Sequence, residues 1–542
     1  MHAGWNLVAI VSLFYGNALG FFWPFTAFAA PSSVAAVPSA APKRVAIIGA
    51  GAGGSSAAYY LRQFAEQSDI DIDITVYERA SYIGGRSTTV NAYNDARFPV
   101  ELGGSIFVAT NEILKNFTLE HGLEPQDSGT EYSDVLGIWN GESFVHTMKD
   151  SGWQWWDNTK LLWKYGMAPI KTVRLMKVVV GKFKQLYTAP FFPFRSLSDR
   201  AEDLDLLPAT GVTGEQYLEK NGITGPFTTD IIQASTRVNY GQNLGVIHGL
   251  ETMVCMAIEG AMSVRGGNWQ IFDGMLKSSN ATINLNTTVD AISKVNGKYA
   301  VQSTLLGASA STTKHYDTVI LAAPFQYSGI NVEEGVLRKT PDKIPYVTLH
   351  VTLFASNRTF SPKFFGLGPD ADVPTTIITT LPPGEVPARP EDGVGKAGFF
   401  SMSTLRSVIN PVTLQTENLY KVFSPAPVTP EFLAKVFDAE IPSNLNNISA
   451  SDSGVISWYY PHVWHSYPYE YPRVTFEDSE IARGFYYTSG MDSFISTMET
   501  NALMGMNVAR LVMDDFLEFL PQSGTEAGGQ VPIQVERKEN EL

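Results

Sequence analysis

The stretch KRVAIIGAGAGGSSAAYYLRQFAEQSDIDIDITVYE, residues 43–78, reads as one βαβ unit. Arg44–Ile48 is a short apolar run of the kind buried in a sheet interior. Ser55–Gln67 carries apolar residues at helical spacing, and Ile70–Tyr77 alternates as a strand that ends at Glu78. Between the first strand and the helix, Gly49-Ala50-Gly51-Ala52-Gly53-Gly54 satisfies G-x-G-x-x-G. The first glycine permits the tight turn, the second lets the backbone approach a pyrophosphate, and the third lets helix and strand pack closely. The helix N-terminus then faces the phosphates, and Glu78 is placed for the ribose hydroxyls. The unit therefore predicts an α/β dinucleotide-binding domain of Rossmann type.

Four further segments, in order along the chain, narrow the dinucleotide. Gly84-Gly85-Arg86 follows Glu78 and adds bare backbone and a cation near the pyrophosphate. Glu101-Leu-Gly103-Gly104-Ser105 comes next, then Arg265-Gly-Gly267 with the strand segment ending at Val289, then Gly490-Met-Asp492 with a helix over Ser496–Arg510. This series resembles the FAD-dependent amine-oxidase-like superfamily. The resemblance implies a glutathione-reductase-like FAD domain with a mixed α+β substrate domain. In it Gly103, Gly104 and Ser105 pass the isoalloxazine, the Val289 backbone meets adenine, and the Gly490–Asp492 segment closes over the ribityl chain and pyrophosphate. Monoamine oxidases in this superfamily attach flavin to a cysteine near the C-terminus. The single cysteine here is Cys255, so noncovalent FAD is expected.

Composition limits what else the chain can be. Apolar residues are 44% and charged residues 17%, which suits a globular protein and not a disordered one. The net charge of −15, with no basic block, argues against nucleic acid as the main partner. One cysteine excludes an intrachain disulfide, a Cys-ligated zinc site and an iron–sulfur cluster. Eight histidines show no metal-binding spacing, so no metal is expected. Residues 4–30 are almost free of charge and end in Ala27-Phe28-Ala29, as a signal peptide or an uncleaved anchor does. Sequons at Asn116, Asn280, Asn286, Asn357 and Asn447 suit a glycoprotein of the secretory pathway, in a lysosome or vacuole or outside the cell. The expected organisation is a leader over 1–30 and a linker over 31–42. The FAD domain takes three pieces, 43–115, 255–330 and 450–520. The substrate domain takes 116–254 and 331–449, and 521–542 forms a disordered tail.

The intervening segments carry the more specific signal. They are Trp163-Lys-Tyr165-Gly166, Arg237-Val-Asn-Tyr240-Gly241-Gln242, Gly260-Ala-Met262, Trp464-His465-Ser-Tyr467-Pro468 and Phe485-Tyr-Tyr487. Together they resemble the prenylcysteine oxidase (prenylcysteine lyase) family, from about Lys43 to Leu520. That resemblance implies an oxidase that cleaves the thioether of prenylcysteine to cysteine, a prenyl aldehyde and hydrogen peroxide, with molecular oxygen as acceptor. Hydride leaves the carbon attached to sulfur for flavin N5, so little acid–base machinery is required. Tyr240 and Gln242 are candidates for the substrate site. His248, His462, His465 and Glu101 are candidates for activating water. The aromatic stripe Trp153–Tyr165 reads as helix packing or as prenyl contact, and with Lys164, Lys171, Arg174, Lys177, Lys182 and Lys184 the segment also reads as a peripheral contact with an anionic membrane. Three other readings stay open: an amine-oxidase-like enzyme, a tailoring oxidase of secondary metabolism, and a non-enzymatic prenyl binder of the same fold.

Overall fold

The computed structural model describes residues 41–127, 135–149, 161–386, 393–451 and 454–518. The expected leader, nearly all of the linker, the tail and the first part of the aromatic stripe, 153–160, lie outside these.

Lys43–Ile48 lies inside a six-stranded sheet, paired in parallel with Ile72–Tyr77 on one side and Thr318–Leu321 on the other. Both of its faces are covered, which is why Val45, Ala46 and Ile47 are fully buried and the run shows no alternation. Thr282–Asn284 extends the sheet at one edge, and Phe485–Tyr487 with Glu480–Ala482 at the other. One face is packed by the Ala52–Gln67 helix, which in turn packs on the long C-terminal helix Met498–Glu518. The two helices touch at small residues: a Cβ on Gly505 would stand 2.3 Å from the Gly53 carbonyl oxygen. A four-stranded sheet, Thr312–Tyr316, Lys298–Leu305, Thr287–Val295 and Asn331–Val332, covers the other face through Tyr77, Val289, Tyr299 and Tyr316.

The second half of the molecule is a seven-stranded, largely antiparallel sheet. Its order is Ile456–Pro468, Tyr346–Ser356, Thr416–Ser424, Ser401–Ile409, Thr376–Thr379, Val135–Trp139, Phe144–Lys149. Two of its strands are long: Tyr346–Ser356 has 11 residues and Ile456–Pro468 has 13. One sequence expectation changes here, a boundary. Ile456–Pro468, assigned by sequence to the FAD domain piece 450–520, pairs with Tyr346–Ser356 in the seven-stranded sheet. Its period-2 aromatic pattern puts Trp458, Tyr460, His462 and Trp464 on one face, where neighbouring rings lie against one another. A helical layer, including Ala168–Phe183, Gln233–Tyr240 and Gly249–Cys255, shares a core with Ile138 and Ile378 of this sheet and with Leu503 of the C-terminal helix.

Candidate active site

The glycine turn has the geometry its spacing predicts. Gly49 sits at φ 108°, and a Cβ there would meet the Ala322 carbonyl oxygen at 2.6 Å. A Cβ on Gly54 would stand 1.9 Å from the Gly49 oxygen, so this position needs glycine for helix–strand packing. Gly51 is different. A Cβ there would find only Gly85 and Gly84, at 3.8 and 3.9 Å. No protein atom requires glycine at Gly51, but a ligand approaching the backbone would. Gly51 is also the N-cap of the Ala52–Gln67 helix, with no side chain capping it and no acid in the first turn. The free N–H groups of that turn therefore face an anion site.

The surrounding residues brace this cradle. The Glu78 carboxylate accepts from the Ala50 and Ala80 backbone N–H groups, each at 2.8 Å, so it organises the turn as well as standing at the ribose position. Gly84 pairs with Gly51, and the Gly84 N–H donates to Ala50. Arg86 donates to the Ser466 carbonyl and to the Asp492 carboxylate, at 3.3 Å for the ion pair, while over a third of its side chain stays exposed. Asp492 is fully buried and also accepts from Asn501 at 2.9 Å and Tyr346 at 3.2 Å. Gly490 is held against Glu477, where a Cβ would lie 2.8 Å from a carbonyl oxygen. Val289 is buried two residues beyond Thr287, whose N–H donates to the Glu78 carbonyl at 2.8 Å. The uncapped helix terminus, the room over Gly51 and the braced Arg86 fit the pyrophosphate of FAD.

Gly103, Gly104 and Ser105 lead from this cradle to a cavity. Gly104 donates to the Arg86 carbonyl at 3.0 Å. Ser105 accepts from the buried Lys421 ammonium at 2.8 Å, and Lys421 also donates to the Glu101 carbonyl. Burial pushes the Glu101 carboxyl up to about 7 and the Lys421 ammonium down to about 8. Sequence reading missed Lys421; its signal is a lysine inside the apolar run Leu419-Tyr-Lys-Val-Phe423. Met498 stands against Gly104, with 2.8 Å from its sulfur to a Cβ built there. Its side chain also lines a cavity of about 140 Å³ together with Phe107, Phe183, Tyr240, Val254 and Ile258. At the rim, Glu499 is buried and accepts from the Ile113 and Leu114 N–H groups and from Tyr187. Burial pushes its carboxyl up to about 7.

The two candidate substrate-site residues and the candidate water activators separate. Tyr240 lines the cavity, packs on Tyr467 at 5.0 Å and donates to the Ser496 carbonyl at 3.1 Å. Gln242 does not line it. Its amide is used up accepting from the Glu470 N–H at 2.8 Å and donating to the Pro468 carbonyl at 3.0 Å, so it fixes the 468–470 chain. His248 is fully buried as the N-cap of Gly249–Cys255, with Nδ1 accepting from the Glu251 N–H. Burial holds its pKa down at about 3, and it faces no part of the cavity. His465 is exposed and stacks on Tyr327 at 4.5 Å. Arg237, from the same motif, is buried and donates to the Gly393 and Val394 carbonyls and to Thr379.

Comparison with known proteins agrees with this geometry. A family model described as prenylcysteine lyase matches residues 148–522, and one described as an NAD(P)-binding Rossmann-like domain matches residues 47–118. The chain is 26% identical over 503 residues to farnesylcysteine lyase of Arabidopsis thaliana, covering 90% of this chain and 91% of the relative. It is 28% identical over 499 residues to prenylcysteine oxidase 1 of Bos taurus, covering 88% and 89%. Among solved structures, cyclohexylamine oxidase from Brevibacterium oxydans IH-35A superposes with a TM-score of 0.52 at 15% identity, covering 88% of this chain and 100% of that one. A fatty acid isomerase from P. acnes superposes at 0.53 and 13% identity, covering 88% and 99%. These two share the fold. The match over residues 148–522 takes in most of the sequence, and the chain belongs to the prenylcysteine lyase family.

Proposed function

We propose that this chain is an FAD-dependent thioether oxidase that cleaves prenylcysteine, with FAD held noncovalently. The observation that carries the reading is the apolar cavity behind Gly104, bounded by Met498 and Tyr240. When bound, FAD would supply a two-electron acceptor for hydride from the carbon attached to sulfur, with oxygen as the final acceptor. Thioether, water and oxygen become thiol, aldehyde and hydrogen peroxide, one of each. Of the protein's parts, the Gly51 turn and Arg86 hold the pyrophosphate, and Lys421 fixes the Glu101–Ser105 backbone. The cavity keeps water from the isoprenoid chain. Tyr240, tied to Ser496, sets the cavity wall. No described side chain is needed to form a covalent intermediate. Deuterium at the carbon attached to sulfur should slow turnover of farnesylcysteine; an unchanged rate of the reductive step would reject hydride loss from that carbon.

The reading extends to location. The chain enters the secretory pathway and acts in a lysosome or vacuole or outside the cell. Asn116, Asn280, Asn357 and Asn447 are exposed, as glycan acceptors must be, and Asn286 is half-buried beside the Glu78 turn. A mature N-terminus near Ala30 and a mass drop on glycosidase treatment are the expected results. An unglycosylated cytosolic protein beginning at Met1 would refute it.

A further inference from the structure

We infer that the face of the Ala168–Phe183 helix, with the turn before it, docks the protein on a bilayer surface bearing anionic headgroups. Met167, Lys171, Arg174 and Val178 fall at i, i+4, i+7 and i+11, which is one helix face. That face is open: Met167 is 55% exposed and Val178 57%, and Trp163, just before the helix, is 91% exposed. Large apolar side chains among cations on one helix face are the pattern of an interfacial helix. Tryptophan, with its amphipathic ring, suits the headgroup level.

Charge fixes the kind of surface. The chain carries −15, yet Lys171, Arg174 and Lys177 pair with no acidic side chain among the described residues. By contrast Lys164, Lys182 and Lys184 are each paired, with Asp230, Asp205 and Glu112. The unpaired cations gather around the exposed apolar residues, so an anionic lipid surface complements the face in both respects. No described helix is long and apolar enough to cross a membrane, so the contact is peripheral.

The test is co-sedimentation of the flavin-loaded full chain with substrate-free vesicles, of phosphatidylcholine alone or with added phosphatidylserine. Binding is expected only to the anionic vesicles and should weaken at high salt. Lys171→Glu, Arg174→Glu and Lys177→Glu together should weaken it on the order of a hundredfold. Trp163→Ser should weaken binding at any salt concentration. Flavin content and turnover of detergent-dispersed farnesylcysteine should stay unchanged in both variants. Equal sedimentation of the triple variant and its parent, or no sedimentation of the parent, would overturn the inference. Should the triple variant not fold, the parent's preference for anionic vesicles and its salt dependence decide. Because the vesicles hold no substrate, the result is independent of whether the chain oxidises prenylcysteine.

Discussion

Val254→Trp places an indole in the cavity behind Gly104, where Val254 stands beside Phe183, Ile258 and Met498. The cavity measures about 140 Å³. At about 30 Å³ per water-sized group it takes about five methylene-sized groups, or one isoprene unit. Burial of each stabilises by about 0.8 kcal/mol, about 4 kcal/mol in all. If the indole excludes that unit, kcat/KM for farnesylcysteine should fall about a thousandfold. S-allylcysteine is too short to depend on the far end of the cavity, so its slower turnover should change less than about tenfold. The assay is anaerobic stopped-flow reduction of the bound flavin against substrate concentration, with flavin content and melting temperature as folding controls. An unchanged farnesylcysteine rate would place the chain elsewhere. An equal loss for both substrates would mean that the indole disturbs the flavin and not the isoprenoid slot.

Other outcomes follow from single contacts. Gly51→Ala should leave the apoprotein's melting temperature unchanged and weaken FAD binding at least about tenfold, because its Cβ meets no protein atom closer than 3.8 Å. Gly54→Ala, with its Cβ 1.9 Å from the Gly49 oxygen, should lower the melting temperature of the apoprotein itself; equal behaviour of the two variants in calorimetry would contradict this division. Tyr240→Phe should keep FAD and cost about 1 kcal/mol of stability by losing the bond to Ser496, while altering the rate of flavin reduction by substrate. Loss of flavin instead would move Tyr240 to the cofactor site. Burial raises the folded-state pKa of Glu499 to about 7 and of Glu251 to about 8, above the ordinary 4.5. Each therefore holds a proton in the folded state that the unfolded chain has released, and its contribution is lost as pH rises toward the folded value. His248, lowered to about 3, has the opposite sign but acts only below its ordinary 6.5. The melting temperature should fall between pH ~6.5 and ~7.5, and Glu499→Gln should reduce that slope; a flat or rising profile in the parent would refute the assignment.

The nucleotide half of the molecule was legible because its signals are local. Gly49, Gly51 and Gly54 are recognised by their spacing in one turn, with Gly54 packed on the Gly49 carbonyl five residues earlier, and Glu78 reaches back to that turn from the end of the next strand. The buried run Val45–Ile48 needed no partner to be recognised as a strand. The substrate half was less legible because its positions are set by long-range pairing. Ile456–Pro468 reads locally as an aromatic strand, but only its pairing with Tyr346–Ser356 decides which sheet it joins. Lys421 becomes a site residue only when its strand meets the Glu101–Ser105 segment, more than three hundred residues earlier. Gln242 and Tyr240 are two residues apart in one motif, yet the left-handed turn at Gly241 sends one to the cavity and the other into a backbone clamp. His248 shows the same limit from the other side: its sequence context allows a base, and only full burial at a helix N-cap shows it to be neutral and structural.

Anaerobic titration of the flavin-loaded protein with farnesylcysteine, beside a panel of primary and secondary amines, bears most directly on the thioether oxidase reading. Farnesylcysteine should bleach the flavin completely, the amines should not, and admitting oxygen should return the colour with one aldehyde, one free thiol and one hydrogen peroxide per flavin. A flavin that stays oxidised with farnesylcysteine, or that an amine reduces instead, would contradict the assignment.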